Sequence, residues 1–285
     1  MHAHLDIDLL RTFAVIAETH TLSRAATRVG RTQAAISMQV KRLEQIASQP
    51  LLSRTGRGVV LTTHGERLLA HAQKILRYHD EAVADLSGKG LSGTIRFGCP
   101  DDYAAVFLPH LLRGFARRHP QVLLEVYCGS TPRLFDRLKN HALDLALTSF
   151  PEDEKREAII RREPLVWVGY PGSDAASLNP LRVALGDRDA LDHQAARKSL
   201  EKVKRPYRIA FASGSLAGLT AVVRSGQAIA VLTQTAVPVD LQILPPSSGL
   251  PPLPSVGIAL TLDSGQPPAV VSAFAEHVQL VLPTI

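Results

Sequence analysis

The sequence predicts an α/β protein in which a basic, helical N-terminal region with a small β-wing precedes a longer run of alternating strands and helices. Three observations carry this. Residues 20 to 60 hold seven Lys/Arg against one acid, Glu44, an excess that equals the formal +6 of all 285 residues. A heptad seam then occupies 63 to 87. After a Gly/Ser-rich stretch, the pattern changes from helical periodicity to strand–helix alternation up to the last residue.

Composition bounds the class. Hydrophobic residues make up 45% and charged residues 20%, ordinary values for a soluble globular chain with room for two or three domains. The two cysteines, Cys99 and Cys128, supply neither a secreted disulfide framework nor a zinc site. The N-terminus has no basic segment followed by an apolar one, so no signal peptide is expected. No apolar run approaches the ~20 residues that span a bilayer. A cytoplasmic protein without a membrane partner is expected.

Leu9, Leu10, Phe13 and Ile16 fall at helical spacing, which predicts a first helix over 6 to 18. Thr21 and Ser23 are both N-cap candidates for a second helix, roughly 23 to 29. Gly30 stands where that helix should stop, and Thr32 can cap a third, roughly 32 to 46. Two helices joined by a three-residue turn containing glycine match a helix-turn-helix. At about 100° per residue the third helix resolves into two stripes. Ile36, Val40 and Leu43 should face the core. Gln33, Ala34, Ser37, Met38 and Lys41 should face outward, where a recognition helix presents side chains to a major groove. Gln can pair with adenine through two hydrogen bonds, and Ser can donate or accept. The competing reading is a solvated polar face.

In residues 51 to 61 two apolar segments flank a Gly/Arg tip, a hairpin signal. Arg57, between two glycines, would stand at the tip of a wing and could enter a narrow minor groove; otherwise it is a solvated loop residue. The expected DNA-binding set is therefore Arg31, Thr32, Gln33, Ala34, Ser37, Met38, Lys41, Arg54 and Arg57, with double-stranded DNA as partner.

Thr62 can cap a helix over about 63 to 87. Leu68, Ala72, Ile75, His79, Ala82 and Leu86 follow alternating steps of four and three, and Leu69, Leu76 and Val83 widen the stripe. Such a seam pairs with a second copy of the chain or packs on its own domain. Residues 87 to 93 read as a flexible hinge. Strands are then expected at 94–99, 122–128 and 143–148, with helices at 107–119 and 131–141, as a βαβαβ unit. A second unit follows: a strand at 164–170, a helix near 189–203, a strand at 207–212, a helix near 215–225 and a strand at 228–233. A strand at 256–262 and a last helix at 267–281 return to the first lobe. The expected divisions are 1–62 for DNA binding, 63–87 for the dimerisation helix, 88–93 for the hinge and 94–285 for the α/β module. Within that module, lobe I covers about 94–162 and 256–285, and lobe II about 163–255.

The stretch LSRAATRVGRTQAAISMQVKRLEQ (22 to 45) and the stretch LLSRTGRGVVLTTHG (51 to 65) carry a resemblance to the LysR-type transcriptional regulators, which extends over essentially the whole chain. DIDLLRTF (6 to 13), QKILRYHDEA (73 to 82) and GLPPLP (249 to 254) resemble its LrhA-like branch. The resemblance implies a homo-oligomer, dimer or tetramer, that binds promoter DNA. It implies a periplasmic-binding-protein-like effector domain with two α/β lobes, and base contacts from Gln33, Ser37 and Met38. Ala34 replaces a frequent proline of the family and Met38 a frequent arginine, which affects base preference.

Small ligands bind at the strand ends of open α/β folds. By the same resemblance the effector cleft should be lined by Pro100, Asp101, Asp102, Ser130, Thr131, Ser149, Ser213, Ser215 and Thr233, with Gly129, Gly214 and Thr235 nearby. Family members that bind carboxylate inducers often carry Ser/Thr where this chain has Asp101 and Asp102. Two carboxylates disfavour an anion, so a neutral or cationic effector, or none, is expected. The competing reading is that both aspartates cap a helix starting near 104. Cys99 and Cys128 end neighbouring strands; the family's redox-sensing members place their cysteines differently, and buried, inert thiols are the default. No nucleophile elbow, P-loop, dinucleotide fingerprint or zinc-protease motif is present, so no enzyme, cofactor or metal site is expected. A sequence-tolerant architectural DNA binder is disfavoured by the ligand-type module.

Overall fold

The computed structural model describes residues 4–56, 58–86, 90–152, 159–263 and 266–285, apart from the side chains at 77, 81, 84 and 85. Two compact units make up the chain, Met1–Gly93 and Thr94–Ile285. Arg57 and residues 87–89, the start of the stretch 87–93 read as a hinge, lie outside the described residues.

In the first unit, α1 (Ile7–Thr19) starts at Asp6, whose carboxylate accepts the Asp8 amide at 2.8 Å. Thr21, rather than Ser23, caps α2 (Leu22–Val29), accepting from the Arg24 amide. Gly30 ends α2 with φ +65°, a left-handed conformation glycine adopts without steric cost. Thr32 caps α3 (Gln33–Ala47) by accepting the Ala35 amide. The apolar stripes converge as their spacing predicts: Ile16, Ala25, Ile36 and Val40 form one buried cluster, and Leu10, Phe13 and Leu43 another. Each such fully buried Leu, Ile or Phe contributes about 1.5–3 kcal/mol. Thr12 adds a polar tie, donating to Gln39 Oε1 at 3.0 Å between α1 and α3.

The strands β1 (Leu52–Thr55) and β2 (Gly58–Leu61) pair antiparallel from Leu52↔Leu61 to Thr55↔Gly58. Glu44, the one acid of the basic block, accepts the amides of Leu51 and Leu52 and so anchors the start of the wing on α3. The helix α4 (Thr63–Leu86) is capped by Thr62, whose hydroxyl oxygen accepts the Gly65 amide at 3.0 Å. The α4 seam divides. Ala72 and Leu76 are buried with Leu9, Leu10 and Phe13, whereas Ile75, Val83 and Leu86 are exposed. His79 stands at the edge, half-exposed beside Asp80. The first unit thus covers one part of the seam and leaves the other part exposed.

In the second unit, β3 (Gly93–Cys99), α5 (Asp101–Arg118), β4 (Val122–Cys128), α6 (Thr131–Lys139) and β5 (Leu145–Pro151) build the first lobe, with β3 and β5 parallel. The strand β6 (Ile159–Gly169) crosses out of it. The second lobe holds β7 (Leu181–Leu185), α7 (Leu191–Lys202), β8 (Tyr207–Ala212), α8 (Leu216–Arg224), β9 (Ile229–Thr233) and the short β10 (Gln242–Ile243). The strand β11 (Ser255–Leu262) crosses back, and α9 (Ala269–Val281) packs on α5. The strand order β4-β3-β5-β11-β6-β9-β7-β8 makes one path, with β10 paired to β6. The first half of β6 pairs with β11 and the second half with β9, so these two crossing strands tie the lobes together.

Three expectations are corrected. The second lobe is not a simple repeat of the first: β6 runs antiparallel to β9, and the parallel partner of β9 is β7, for which no strand was expected. Its sequence LRVAL is a short apolar run between Pro180 and Gly186, buried on both faces and therefore without alternation. Second, α5 begins at Asp101 rather than near 104, and Pro109 is tolerated within it. Third, Cys99 is buried but Cys128 is exposed, because β4 is the edge strand of the sheet.

Among the described residues no helix is long and apolar enough to cross a membrane, and no group of His, Cys, Asp or Glu could hold a metal ion.

Candidate functional site

The first unit presents an exposed, mostly polar face on α3. Helix spacing turns Ile36, Val40 and Leu43 inward, which leaves Gln33, Ala34, Met38 and Lys41 exposed and Ser37 half-buried on the opposite side. Met38 is 74% exposed, high for a thioether that could have packed inward, and so available for apolar contact. Arg31 lies just before the N-cap and Arg54 on β1, both exposed. The Thr32 hydroxyl oxygen already accepts an amide, so its role is first to fix the start of α3. Of the block's cations, Arg28 is paired with Glu18 at 2.8 Å. The wing is held in place by its backbone: the Val59 amide donates to the His20 carbonyl at 2.9 Å. A side chain at Gly58 would meet that carbonyl at 2.3 Å, and its φ of +148° is one L residues rarely adopt.

The second unit carries a cavity of about 200 Å³ between its lobes. All nine residues predicted for the cleft line it: Pro100, Asp101 and Asp102 at the start of α5, Ser130 and Thr131 at α6, Ser149 on β5, Ser213 and Ser215 before α8, and Thr233 at the end of β9. Gly129 and Gly214 join them, but Thr235 turns away and donates to Glu163 at 2.9 Å. The topology explains the convergence, since strand ends and helix starts from both lobes meet at one level. The prediction missed Asp187, Asp189 and Asp192 and the apolar floor of Leu165, Leu219, Val231 and Val256. The acids follow β7, the strand that escaped the sequence reading; the signal was the Gly186-Asp187 turn before an amphipathic helix.

Most polar groups of the cleft are committed. Thr131 Oγ1 accepts the Ser149 amide, and the hydroxyls of Ser149 and Tyr103 share a hydrogen bond of 2.8 Å. Ser213 Oγ accepts the Ser215 amide. Two aspartates reach across the lobes. Asp101 Oδ2 accepts the Leu216 amide at 2.5 Å and so caps α8 from outside it. Asp102 Oδ2 accepts from the Thr233 hydroxyl at 2.9 Å. Neither aspartate is the N-cap of its own helix, a position held by Pro100. Burial pushes the Asp102 carboxyl up to about 7, opposed by the Thr233 hydrogen bond and reinforced by Asp192. Burial also raises Asp192, in the first turn of α7. Arg133 reaches Asp187 at 3.2 Å from the rim, more than half exposed. Beside the cleft, the Cys128 thiol is lowered to about 7 by its hydrogen bond with Cys99, while Cys99 is pushed up by the same bond and by burial.

A winged helix-turn-helix and a two-lobed α/β cleft on one chain define the class of ligand-responsive DNA-binding regulators. Residues 7–66 match the family described as bacterial regulatory helix-turn-helix protein, lysR family, and residues 88–282 match the LysR substrate binding domain. The chain belongs to the LysR family and is a DNA-binding transcription regulator. It is 62% identical over 281 residues to the HTH-type transcriptional regulator DgdR of Burkholderia cepacia, covering 99% of this chain and 96% of that one. It is 32% identical over 251 residues to PecT of Dickeya dadantii, covering 88% and 79%. The crystal structure of ArgP from Mycobacterium tuberculosis shares the fold, with a TM-score of 0.71, 18% identity and coverage of 98% and 97%. The family is one of regulators rather than enzymes. The finer likeness to an LrhA-like branch rests on the short phrases quoted above.

Proposed function

We propose that the chain acts in the cytoplasm as a homo-oligomeric, sequence-specific promoter binder without catalytic activity, its DNA occupancy set by a small effector held in the cleft of the second unit. The observation that carries this is the outward stripe of α3: Gln33, Ala34, Ser37, Met38 and Lys41 project from a helix whose other side is locked in the core. Gln33, Ser37 and Met38 are assigned to base edges, with Arg31, Lys41, Arg54 and Arg57 on phosphate or the minor groove. The exposed apolar residues Ile75, Val83 and Leu86 on α4 supply the face for a second copy, which doubles the half-sites read. Pro100, Asp101, Asp102, Ser130, Thr131, Ser149, Ser213, Ser215 and Thr233 are assigned to the effector.

Genome-wide mapping of bound sites, in cells with and without the gene, tests the reading. Discrete promoter sites that vanish with the gene are expected, with footprints that contain paired half-sites. Occupancy spread evenly over the genome would instead favour an architectural binder.

A further inference from the structure

We infer that the cleft takes a small ligand carrying a cationic nitrogen, held between Asp102 of the first lobe and Asp192 of the second; this rests on the reading of the cleft as the effector site. Five aspartates line the cavity, and among the described residues lining it there is no Lys, Arg or His. Three of the five are accounted for. Asp101 caps α8, Asp187 is met by Arg133 at the rim, and Asp189 is exposed to solvent. Asp102 and Asp192 are different. Asp102 has a hydroxyl and amides of its own helix start, and Asp192 has such amides and the neighbouring His193, which lowers it against burial.

The two come from opposite walls of a poorly solvated space; burial raises both, Asp192 adds like-charge repulsion to Asp102, and Asp187 adds it to Asp192. An anion placed there adds a third negative charge. A neutral ligand leaves the repulsion as it is. A cation relieves both at once, and its own desolvation is repaid by two carboxylates. A second observation points to an absent ligand: the Ser130 hydroxyl oxygen is buried in the cavity wall with no partner. Buried polar atoms of native proteins are rarely left so, and a ligand's polar group would satisfy it. The apolar floor of Leu165, Leu219 and Val231 fits a ligand with a short hydrocarbon part.

The test uses the full chain and matched fragments: ethanolamine and isopropylamine, the neutral ethylene glycol and isopropanol, and the anions glycolate and isobutyrate, at equal ionic strength. Thermal stability and heat of binding are read in parallel, together with occupancy of a promoter fragment recovered from the mapping. Only the amines are expected to stabilise the protein. Asp192→Asn should weaken that binding at least about tenfold, and so should Asp102→Asn, whose amide oxygen can keep the Thr233 hydrogen bond. Wild-type affinity for the amines should fall by up to about tenfold per pH unit as pH drops below about 7, where a proton competes for Asp102. Preferential stabilisation by the anions, no effect of either amine, or an amine effect unchanged in both Asn variants overturns the inference. Amine binding without any change in promoter occupancy would leave the charge preference standing and defeat the effector reading. Anions that alter occupancy would do the reverse.

Discussion

Thr233, at the end of β9, donates to Asp102, in the first turn of α5, at 2.9 Å, so that a hydroxyl from one lobe holds a buried carboxyl of the other whose pKa is raised to about 7. This bond and the neighbouring one from the Leu216 amide to Asp101 fasten the lobes at the cleft. Their acids therefore serve two purposes, closing the module and setting its charge.

The sign of the resulting pH dependence follows from the raised carboxyl. Asp102 is about 7 when folded and has the ordinary value of about 3.8 when unfolded, so the folded protein binds more protons between these limits. Stability falls as pH rises from about 4 to 7 and stays lower above it. Asp102→Asn removes the penalty. At pH 8 the variant should melt higher by about 2–4 °C, the shift that ~1 kcal/mol gives in a domain of this size. At pH 4 it should melt with the wild type or below it. Calorimetry at both pH values checks this; a gain at pH 4 alone would defeat the argument.

Cys128 offers a second titration. The exposed thiol, lowered to about 7 by its hydrogen bond with Cys99, should react with iodoacetamide at one equivalent per native chain, with half-maximal rate near pH 7. Cys99→Ala removes the donor and should move that midpoint up toward the ordinary thiol range. Two equivalents from the native protein would contradict the buried placement of Cys99.

Much of this was legible beforehand, for physical reasons that differ by region. The helix-turn-helix could be read because α3 is amphipathic: one side must be buried with Ile36 and Val40, so the other could be named residue by residue. The caps at Thr32 and Thr62 followed from local chemistry alone, which left Thr21 and Ser23 both open for α2. The nine cleft residues came from a likeness to known sequences combined with strand ends. The strand β7 was not legible, since LRVAL buried on both faces has no period to detect. With it went Asp187, Asp189 and Asp192, three of the cleft's five aspartates. The division of the α4 seam was also hidden, because heptad spacing does not say which part α1 will cover.

The reading face and the core beneath it should separate cleanly by substitution. Gln33→Ala and Ser37→Ala lie outside the core, so melting should stay within about 0.5 kcal/mol of wild type. Preference at the contacted base pair should drop by about 1–3 kcal/mol. Ile36→Ala, on the buried side, should cost about 2–5 kcal/mol of stability and weaken binding to every sequence alike, without changing preference. Binding to a panel of single-base variants of the mapped site, beside thermal melts, checks both.

The phosphate contacts proposed for the wing are separable in the same assay. Arg54→Ala and Arg57→Ala should each weaken binding to every sequence about equally and lower the slope of log affinity against log salt by ~1. Gly58→Ala attacks the same wing through its backbone, since the added carbon would collide with the His20 carbonyl. It should weaken binding with a loss of thermal stability that the arginine variants do not share. An unchanged salt slope in both arginine variants would place the wing away from the phosphates.

The exposed part of α4 gives the last prediction. Its 24 residues extend about 36 Å at 1.5 Å per residue, and Val83 and Leu86 are 55% and 88% exposed near the end of that length. The described part of α1 buries Ala72 and Leu76 from the other side, so the two halves of the seam can be tested apart. Val83→Glu should leave the fold of the first unit intact and shift the protein toward monomer in sedimentation experiments. Loss of the paired half-site should then reduce promoter affinity at least about tenfold, the product of two linked binding events giving way to one. Leu76→Ala, by contrast, should lower melting by opening the core while leaving assembly of the folded fraction unchanged. If Val83→Glu sediments as the wild type does, the second copy docks elsewhere and the exposed seam of α4 has another role.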